Sequence, residues 1–518
     1  MNSLIKIPAA VTQITLRSSC HSGGAPGWRR IVPPLMAALI GAAMLAGCAD
    51  WQQRPEIDPD AYAPHAVERE WAPHPQGAAS FDLANELGSI AQEAPAEPGR
   101  KYSLPELVEL ALQRNPETRR TWYEARAAAA ELGRAHAPYY PRLGLDSESG
   151  YRRILDLVPK HWGIQKSWQS RNLLSVNYLL LDFGRRDAAA RSAQEELLAA
   201  NFLFNQKVQE VVFNVERGFY TLDAARADVR SAEVIVRMAR TDRIAARKRL
   251  DVGLATKPQL LLSEQREAQA EYELQNARLA VSDAQARLAV ATGLEANAAP
   301  DIESLEGQPV PKALGQTVDE LIGVALRQRP DLAAKVAAAR AAKAQVDAAR
   351  ATLYPTLDAS AYYGFHGFNY NLSNPPTLTY QSGVPEYAAL VTLKWDLFTG
   401  FDRLNSIRKA QAQREASRAE LRTDELDLVG EVWSAYFTFT AALRKYEYAM
   451  ALLNASQSAY DSNLRSYQHG LASILDLLSA ERDLAGARYA LIQSKAEVLI
   501  SAASLSYAIG ATPEQARP

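Results

Sequence analysis

Histidine, cysteine and acidic side chains are the groups in this 518-residue chain that could do chemistry. The sequence contains no HExxH, GxSxG, P-loop or dinucleotide-binding glycine pattern, and its seven histidines are scattered. His366 and His469 could each bind a metal ion, but each stands alone, and five methionines favour no copper relay. The sequence therefore predicts no catalytic centre, no metal site and no cofactor, and we expect the chain not to be an enzyme.

Cys48 has a sequence context that indicates a specific modification. The apolar run LMAALIGAAMLAG follows Arg29 and Arg30 and ends directly before Cys48, a layout typical of an export signal. The stretch LAGC resembles the bacterial lipobox, in which the peptide is cut before the cysteine and the thiol is acylated. This resemblance implies an N-acyl diacylglyceryl lipid on Cys48 after removal of residues 1–47. The alternative is an uncleaved anchor, but the run is shorter than the ~20 residues that a spanning helix needs.

The charge of the exported chain excludes one class of partner. Removing the four basic residues of 1–47 changes the formal charge from −2 to −6, which gives no reason to expect nucleic acid as a partner. Residues 48–103 carry many Pro, Ala and acidic residues without a sustained period, so we predict an irregular, lipidated strap. Lipoproteins of this type are held at the inner membrane by Asp after the cysteine. Ala49 therefore favours the outer membrane.

Most of the remaining chain consists of two copies of one sequence module. The residues that match between the copies lie 214 to 217 positions apart, and so little drift is hard to obtain by chance. The landmark pairs are Pro116/Pro330, Tyr140/Tyr354, Gly184/Gly400, Gly253/Gly470 and Gly293/Gly510. We predict a first repeat at 104–293, a linker at 294–317, a second repeat at 318–510 and a tail at 511–518.

Each repeat contains two strand candidates around an irregular loop. In the first, Leu143 and Leu145 alternate with Arg142 and Gly144, which is the period of two of a strand with unlike faces. The predicted strands lie at about 141–153, 171–183, 355–368 and 386–398.

A very long helix follows each strand pair. No proline occurs from 160 to 257 or from 386 to 512, so helices can run from about 184 to 250 and from 401 to 467. At 1.5 Å per residue, each would be about 100 Å long. Apolar residues spaced by three and four from Val429 to Tyr467 predict a coiled-coil seam, beside a stripe of small residues every seven. Two seams require two neighbouring helices, although one wide apolar face in a solid bundle remains the alternative.

The four strands of one chain would form an open sheet. In hydrocarbon its edges would leave peptide groups unpaired, at several kcal/mol each, so we predict closure by further copies of the chain. Three chains would supply twelve strands, but the sequence does not fix the number. Aromatic residues near the strand ends suit the interfacial belts of a membrane barrel. They are Tyr139, Tyr140, Trp168, Phe183, Tyr354, Tyr387, Trp395 and Phe398.

The long helices of the two repeats end in similar turns, VGLATKPQLL from Val252 and HGLASILDLL from His469. Gly253 and Gly470 can adopt positive φ, and Thr256 and Ser473 can cap the helix that follows. A turn of this kind is also what any antiparallel helical hairpin requires.

Together the lipobox, the duplicated module, the strand pair, the long helix and the GLA turn resemble the TolC-type outer-membrane efflux proteins, in particular their lipidated NodT-type branch. The resemblance covers Leu104 to Gly510. It implies a homotrimer with a twelve-stranded outer-membrane β-barrel, continued by an α-barrel of coiled-coil helices through the periplasm. It also implies passive conduction of small molecules such as drugs, received from a periplasmic adaptor and an inner-membrane pump. The alternative is a periplasmic coiled-coil structural lipoprotein without a channel.

The same resemblance assigns roles to the residues of the two turns. The adaptor would dock on two tips per chain: Val252, Gly253, Leu254, Ala255, His469, Gly470, Leu471 and Ala472. Tyr467 and Asp476 match the family's periplasmic gate, whereas Ala472 and Ser479 stand where the family has a basic and an acidic residue. Asp476 is therefore either one of three carboxylates around the pore or a first-turn acid of its helix.

Overall fold

The computed structural model describes residues 100–158, 161–304, 310–311, 315–372 and 378–511. The lipidated Cys48 that the sequence predicts lies outside these residues. The α-helices of the described chain are α1 (Leu104–Arg114), α2 (Pro116–Ala135), α3 (Arg185–Asp251), α4 (Lys257–Ala291), α5 (Val318–Gln328), α6 (Pro330–Ala351), α7 (Asp402–Gln468) and α8 (Ile474–Ala508). The strands are β1 (Lys101–Tyr102), β2 (Arg142–Val158), β3 (His161–Leu181), β4 (Asp301–Ile302), β5 (Thr356–Leu372) and β6 (Leu378–Lys394).

The helices confirm the duplicated layout. Helices α3 and α7 have 67 residues each, and each is followed by a helix of 35 residues, so the same long hairpin occurs twice. At 1.5 Å per residue, α3 and α7 are each about 100 Å long. Of the helices that the structure describes, none combines the length and apolar composition needed to cross a membrane.

Local sequence signals explain where the short helices begin. Ser103 and Thr317 each form a capping box with the glutamate three residues later, which satisfies free N–H groups at the starts of α1 and α5. Pro116 and Pro330 occupy the first positions of α2 and α6, where a missing N–H group has no cost.

The chain divides into two compact units. The described residues of the smaller unit are 147–158, 161–171, 367–372 and 378–382, which are segments of the four long strands. Within it, the Ser149 hydroxyl donates a hydrogen bond of 3.0 Å to the Ser170 hydroxyl. The larger unit contains all eight helices.

The long strands extend further into the loops than the sequence predicts. They form one sheet in the order β2-β3-β5-β6. Strand β3 begins at His161 instead of about 171, and β6 begins at Leu378 instead of about 386. The early part of β6 contains Gly383 and Pro385, which argue against a strand, but β6 is an edge strand of this sheet, where a residue without an N–H group is tolerated.

Each repeat has its own apolar core in the larger unit. In the first, Leu107 of α1 and Leu288 of α4 are fully buried with Phe219 of α3. In the second, Leu321 of α5 and Leu505 of α8 occupy the equivalent positions and are buried with apolar residues of α7. Burying one such side chain contributes about 1.5–3 kcal/mol.

Both stripes of α7 pack inside the chain. Its buried residues include Val432, Phe439 and Tyr460 from the seam spaced by three and four. They also include Leu428, Ala442, Ala449 and Ser456 from the stripe of small residues. Helix α7 packs against α8, α6 and α5, so the second stripe serves neighbours within the same chain.

A short strand pair joins two segments for which the sequence predicts no regular structure. Strands β1 and β4 pair in parallel, with Tyr102 opposite Ile302, inside the predicted strap and linker. Arg226 of α3 fixes this pair, because its guanidinium lies 2.5 Å from an Asp301 oxygen and donates to the Ile302 carbonyl at 3.2 Å. The strap prediction is therefore wrong at its last residues, where backbone pairing over only two residues gives no readable period.

Candidate functional site: the turns of the two long hairpins

The turn after α3 is a glycine cap of the Schellman type. Gly253 has φ +76°, and its N–H donates to the Leu250 carbonyl at 3.0 Å. The Leu254 N–H reaches back to the Arg249 carbonyl at 2.7 Å. These two bonds satisfy carbonyls that the end of a helix leaves free, and the positive φ explains why the position holds glycine.

The turn after α7 repeats this geometry in detail. Gly470 has φ +75° and donates to the Tyr467 carbonyl at 3.1 Å, while the Leu471 N–H donates to the Ser466 carbonyl at 2.8 Å. The two predicted tip segments therefore have one backbone conformation. A partner that fits one backbone can fit the other.

The helices that leave the two turns differ in charge. Thr256 caps α4 in a capping box with the neutral Gln259, whose Oε1 accepts the Thr256 N–H at 2.7 Å. At the equivalent place before α8, the Asp476 carboxylate accepts the Ser473 N–H at 2.9 Å and its hydroxyl at 2.7 Å. These bonds from Ser473, the hydroxyl first, lower the pKa of Asp476 below its usual range. Within one chain, Asp476 is thus a first-turn acid that caps its own helix and stays charged.

Apolar side chains are exposed at both turns. Leu254 is 76% exposed and Leu471 is 83% exposed. Neither side chain is buried in the core of its own chain, so exposure of these leucines does not serve folding. Val252 is also exposed, and so is His469. Exposed apolar residues on a rigid turn are suited to contact another protein.

The structure brings the two turns together through Arg249 and Tyr467. The guanidinium carbon of Arg249 lies 4.4 Å from the centre of the Tyr467 ring, and its Nη2 approaches the Tyr467 carbonyl at 3.5 Å. The sequence prediction included Tyr467 but missed Arg249, because it sought the basic residue at Ala472 of the same hairpin. An arginine one helical turn before Gly253 was the available signal.

The structure gives no metal site to the residues the sequence singled out. No group of three or more His, Cys, Asp and Glu side chains that could hold a metal ion occurs among the residues described. His366 Nδ1 lies 3.9 Å from a Glu386 carboxylate oxygen, and His469 is exposed at the second turn.

Comparison with known families and proteins matches the repeated part of the chain. The family model described as outer membrane efflux protein matches residues 107–294 and 321–511, well over half of the chain. Protein CyaE of Bordetella pertussis is 29% identical over 424 residues, which are 80% of this chain and 85% of that protein. The antibiotic efflux pump outer membrane protein ArpC of Pseudomonas putida is 23% identical over 489 residues, 92% of this chain and 95% of that protein.

Solved structures share the fold. VceC from Vibrio cholerae aligns with a TM-score of 0.66 at 22% identity, over 79% of this chain and 96% of VceC. The Campylobacter jejuni CmeC outer membrane channel aligns with a TM-score of 0.68 at 16% identity, over 87% of this chain and 94% of CmeC.

Proposed function

Because the chain belongs to the outer membrane efflux protein family, we propose that three copies of it form the exit duct of a tripartite efflux or secretion system. The chain is an outer-membrane efflux channel protein, and the resemblance inferred from its sequence is confirmed. The proposal goes beyond family membership in three respects: the homotrimer, the lipid anchor and the residues that contact partner proteins.

The main evidence for the trimer is that the four-stranded sheet of one chain is open at both edges. Strands β2 and β6 lie at its two edges, and each has 17 residues. Tyr387, Val391 and Leu393 point to one face of β6 and are all more than 60% exposed. An exposed apolar sheet with long edges needs further strands and an apolar environment, and three chains joined edge to edge would provide a closed barrel of twelve strands.

Exposed aromatic side chains support a position of this barrel in the bilayer. Tyr140, Tyr354 and Phe398 are each more than half exposed and lie within four residues of the ends of β2, β5 and β6. Tyr387, predicted from the sequence to lie near a strand end, lies in the middle of β6 because that strand begins at Leu378. Aromatic rings at such positions sit at the boundary between hydrocarbon and headgroups in membrane barrels. The barrel would thus contact outer-membrane lipid directly.

The tips are the proposed docking sites for a periplasmic adaptor, which would connect the duct to an inner-membrane pump. Their backbone is the same in both repeats, and each presents an exposed leucine, Leu254 or Leu471. Two tips per chain give six docking points per trimer. Tyr467 and Asp476 lie at the same end and are the proposed gate and selectivity residues.

Lipidation of Cys48 would anchor the strap to the outer membrane, with the hairpins extending into the periplasm. The predicted lipid is an N-acyl diacylglyceryl group, and the proposal includes no other cofactor. Membership in an efflux channel family supports the duct and not the periplasmic scaffold lipoprotein.

The test is to purify the full chain in detergent and measure its mass by light scattering, then its conductance in planar bilayers. A trimer that forms ion-conducting pores supports the proposal. A matched variant, Tyr387→Asp, would place charge on the exposed face in the middle of the edge strand and should prevent insertion, whereas Lys394→Asp at the strand end should not. Monomeric wild-type protein without conductance would contradict the proposal.

A further inference from the structure

Glu481 of α8 is one of the most buried side chains in the described chain. Glu481 is 1% exposed, and neither oxygen of its carboxylate accepts a hydrogen bond. Leu477 and Leu484, one helical turn away on either side, belong to the apolar cluster at this end of the hairpins. A charged carboxylate in such a place is costly unless it is neutralised or paired.

The side chain that faces Glu481 is another acid. The Asp242 carboxyl of α3 lies within hydrogen-bonding reach of Glu481, yet one of its oxygens is also buried without a donor. Two carboxylates cannot bond to each other, because both only accept. One added proton supplies the missing donor and lets the pair form a hydrogen bond.

The charge count at this cluster fits one proton. Arg266 of α4 is 8% exposed, and its Nε lies 4.0 Å from a Glu481 oxygen. With a proton on the pair, one negative charge faces one guanidinium. Without the proton, two negative charges face one positive charge in a buried place.

The neighbouring groups do not supply the missing positive charge. Tyr460 of α7 interacts electrostatically with both carboxyls, and Asp461 and Arg488 interact with Tyr460 in turn. Arg243 directly follows Asp242 in α3. Arg243 is paired with Glu267, and Arg488 donates to Gln457. Burial raises the pKa of Tyr460 to about 12, so its ring stays neutral.

We propose that Asp242, Glu481 and Arg266 form a proton-binding joint between the two long hairpins, in which one shared proton holds the hairpins together. Asp242 and Arg266 belong to the first hairpin, and Glu481 belongs to the second. Repulsion after loss of the proton therefore acts between the hairpins. Asp242 and Glu481 each lie 11 residues from the turn glycine of their hairpin, roughly 16 Å along the helix. We therefore expect the state of the joint to affect how firmly the tips are held.

The direction of the pH effect follows from the burial. Burial, with the Asp242 charge as the second cause, raises the pKa of Glu481 to about 7, and burial also raises the pKa of Asp242. The folded chain thus binds this proton more tightly than the unfolded chain. The stabilisation is complete below the ordinary glutamate pKa near 4.5 and is lost as pH rises through about 7.

Glu481→Gln tests the joint in the full-length protein, because glutamine reproduces the protonated state at every pH. We expect its melting temperature at pH 8 to exceed that of the wild type, by on the order of 2–4 °C, while the two agree at pH 5. Hydrogen exchange of the turn amides, corrected for its intrinsic pH dependence, should show tips that loosen between pH 6 and 8 in the wild type only. Asp483→Asn, at an exposed acid on the same helix, should behave as the wild type.

An ion pair between charged Glu481 and Arg266 predicts the opposite result. Glu481→Gln would then lower the melting temperature at pH 8, which would overturn the proposal, as would identical pH dependence in variant and wild type. The proposed duct is needed only to give the joint a role in conduction. Stability and exchange are measured without conductance, so a protein that forms no pore still tests the joint.

Discussion

Arg249 at the end of α3 covers the ring of Tyr467 at the end of α7, with 4.4 Å between the guanidinium carbon and the ring centre. This cation–π contact connects the first hairpin to the second directly above the turns. Such contacts contribute about 0.5–2 kcal/mol, depending on how far they are removed from water.

Removing this contact should loosen the tips. We expect Arg249→Gln to raise the conductance of single pores in planar bilayers, since the two hairpins lose this connection beside their turns. Arg249→Lys should have a smaller effect because the charge remains. Arg247→Gln is the matched control, as Arg247 is an exposed arginine of the same helix that pairs with Asp251 at 3.6 Å. A change in conductance of the same size in the control would remove Arg249 from the gate.

The exposed leucines of the turns should determine binding to the adaptor. We expect Leu254→Asp and Leu471→Asp to abolish co-purification with a co-expressed periplasmic adaptor protein, while trimer mass and conductance stay unchanged. Leu254→Met and Leu471→Met keep an apolar side chain and should retain binding. Normal adaptor binding by the double aspartate variant would place docking elsewhere.

Alanine substitutions should separate the strain of a turn from a steric clash. Gly253 and Gly470 have positive φ, but an added Cβ would meet open space at both, so Gly→Ala at either should cost about 1–2 kcal/mol of folding stability. At Gly293 a Cβ would lie 2.9 Å from the Arg114 carbonyl oxygen, and the loss should be clearly larger. Thermal unfolding of the three variants measures the order, and equal losses would contradict this account.

Asp476 should influence ion preference if its three copies surround the pore. We expect Asp476→Ala to reduce the preference for cations, measured as a reversal potential across a salt gradient. Gln259 occupies the equivalent position after the first turn, so Gln259→Glu should add the same charge there and strengthen the preference. An unchanged preference in Asp476→Ala would leave this residue with its helix-capping role alone. Because its pKa is lowered, that capping contribution is present above about pH 4 and fades as pH falls below it.

Cys48 should carry the lipid anchor. We expect Cys48→Ser to abolish incorporation of labelled palmitate and to leave residues 1–47 attached, as shown by the intact mass. The wild-type mass should correspond to a chain that starts at Cys48 with the acyl groups added. An unmodified cysteine in wild-type protein from the outer-membrane fraction would contradict the lipobox interpretation.

The sequence predicted the long helices within one or two residues. The expected segments 184–250 and 401–467 correspond to α3 and α7, because no proline interrupts either segment and a glycine lies beside both ends of each helix. The strands were harder to predict. The early part of β3, from His161 to Arg171, includes Gly163 and several polar residues, so its alternation is too weak to identify a strand from the letters alone.

Contacts between hairpins could not be predicted. Nothing in the local sequence around Glu481 indicates that it is buried beside Asp242. Arg249 likewise reaches a residue 218 positions away. The first relationship depends on how α3 packs against α8, and the second on how α3 packs against α7. Helical periodicity specifies neither packing.

The unlike caps of the two turns impose a limit on symmetry. A ring of three chains would present six backbone-equivalent tips, alternating between a neutral Gln259 cap and a charged Asp476 cap. Six identical adaptor molecules on that ring would occupy two classes of position, three of each. Their affinity should therefore divide into two values that converge as salt concentration rises, since the two classes differ in the charge of the capping residue.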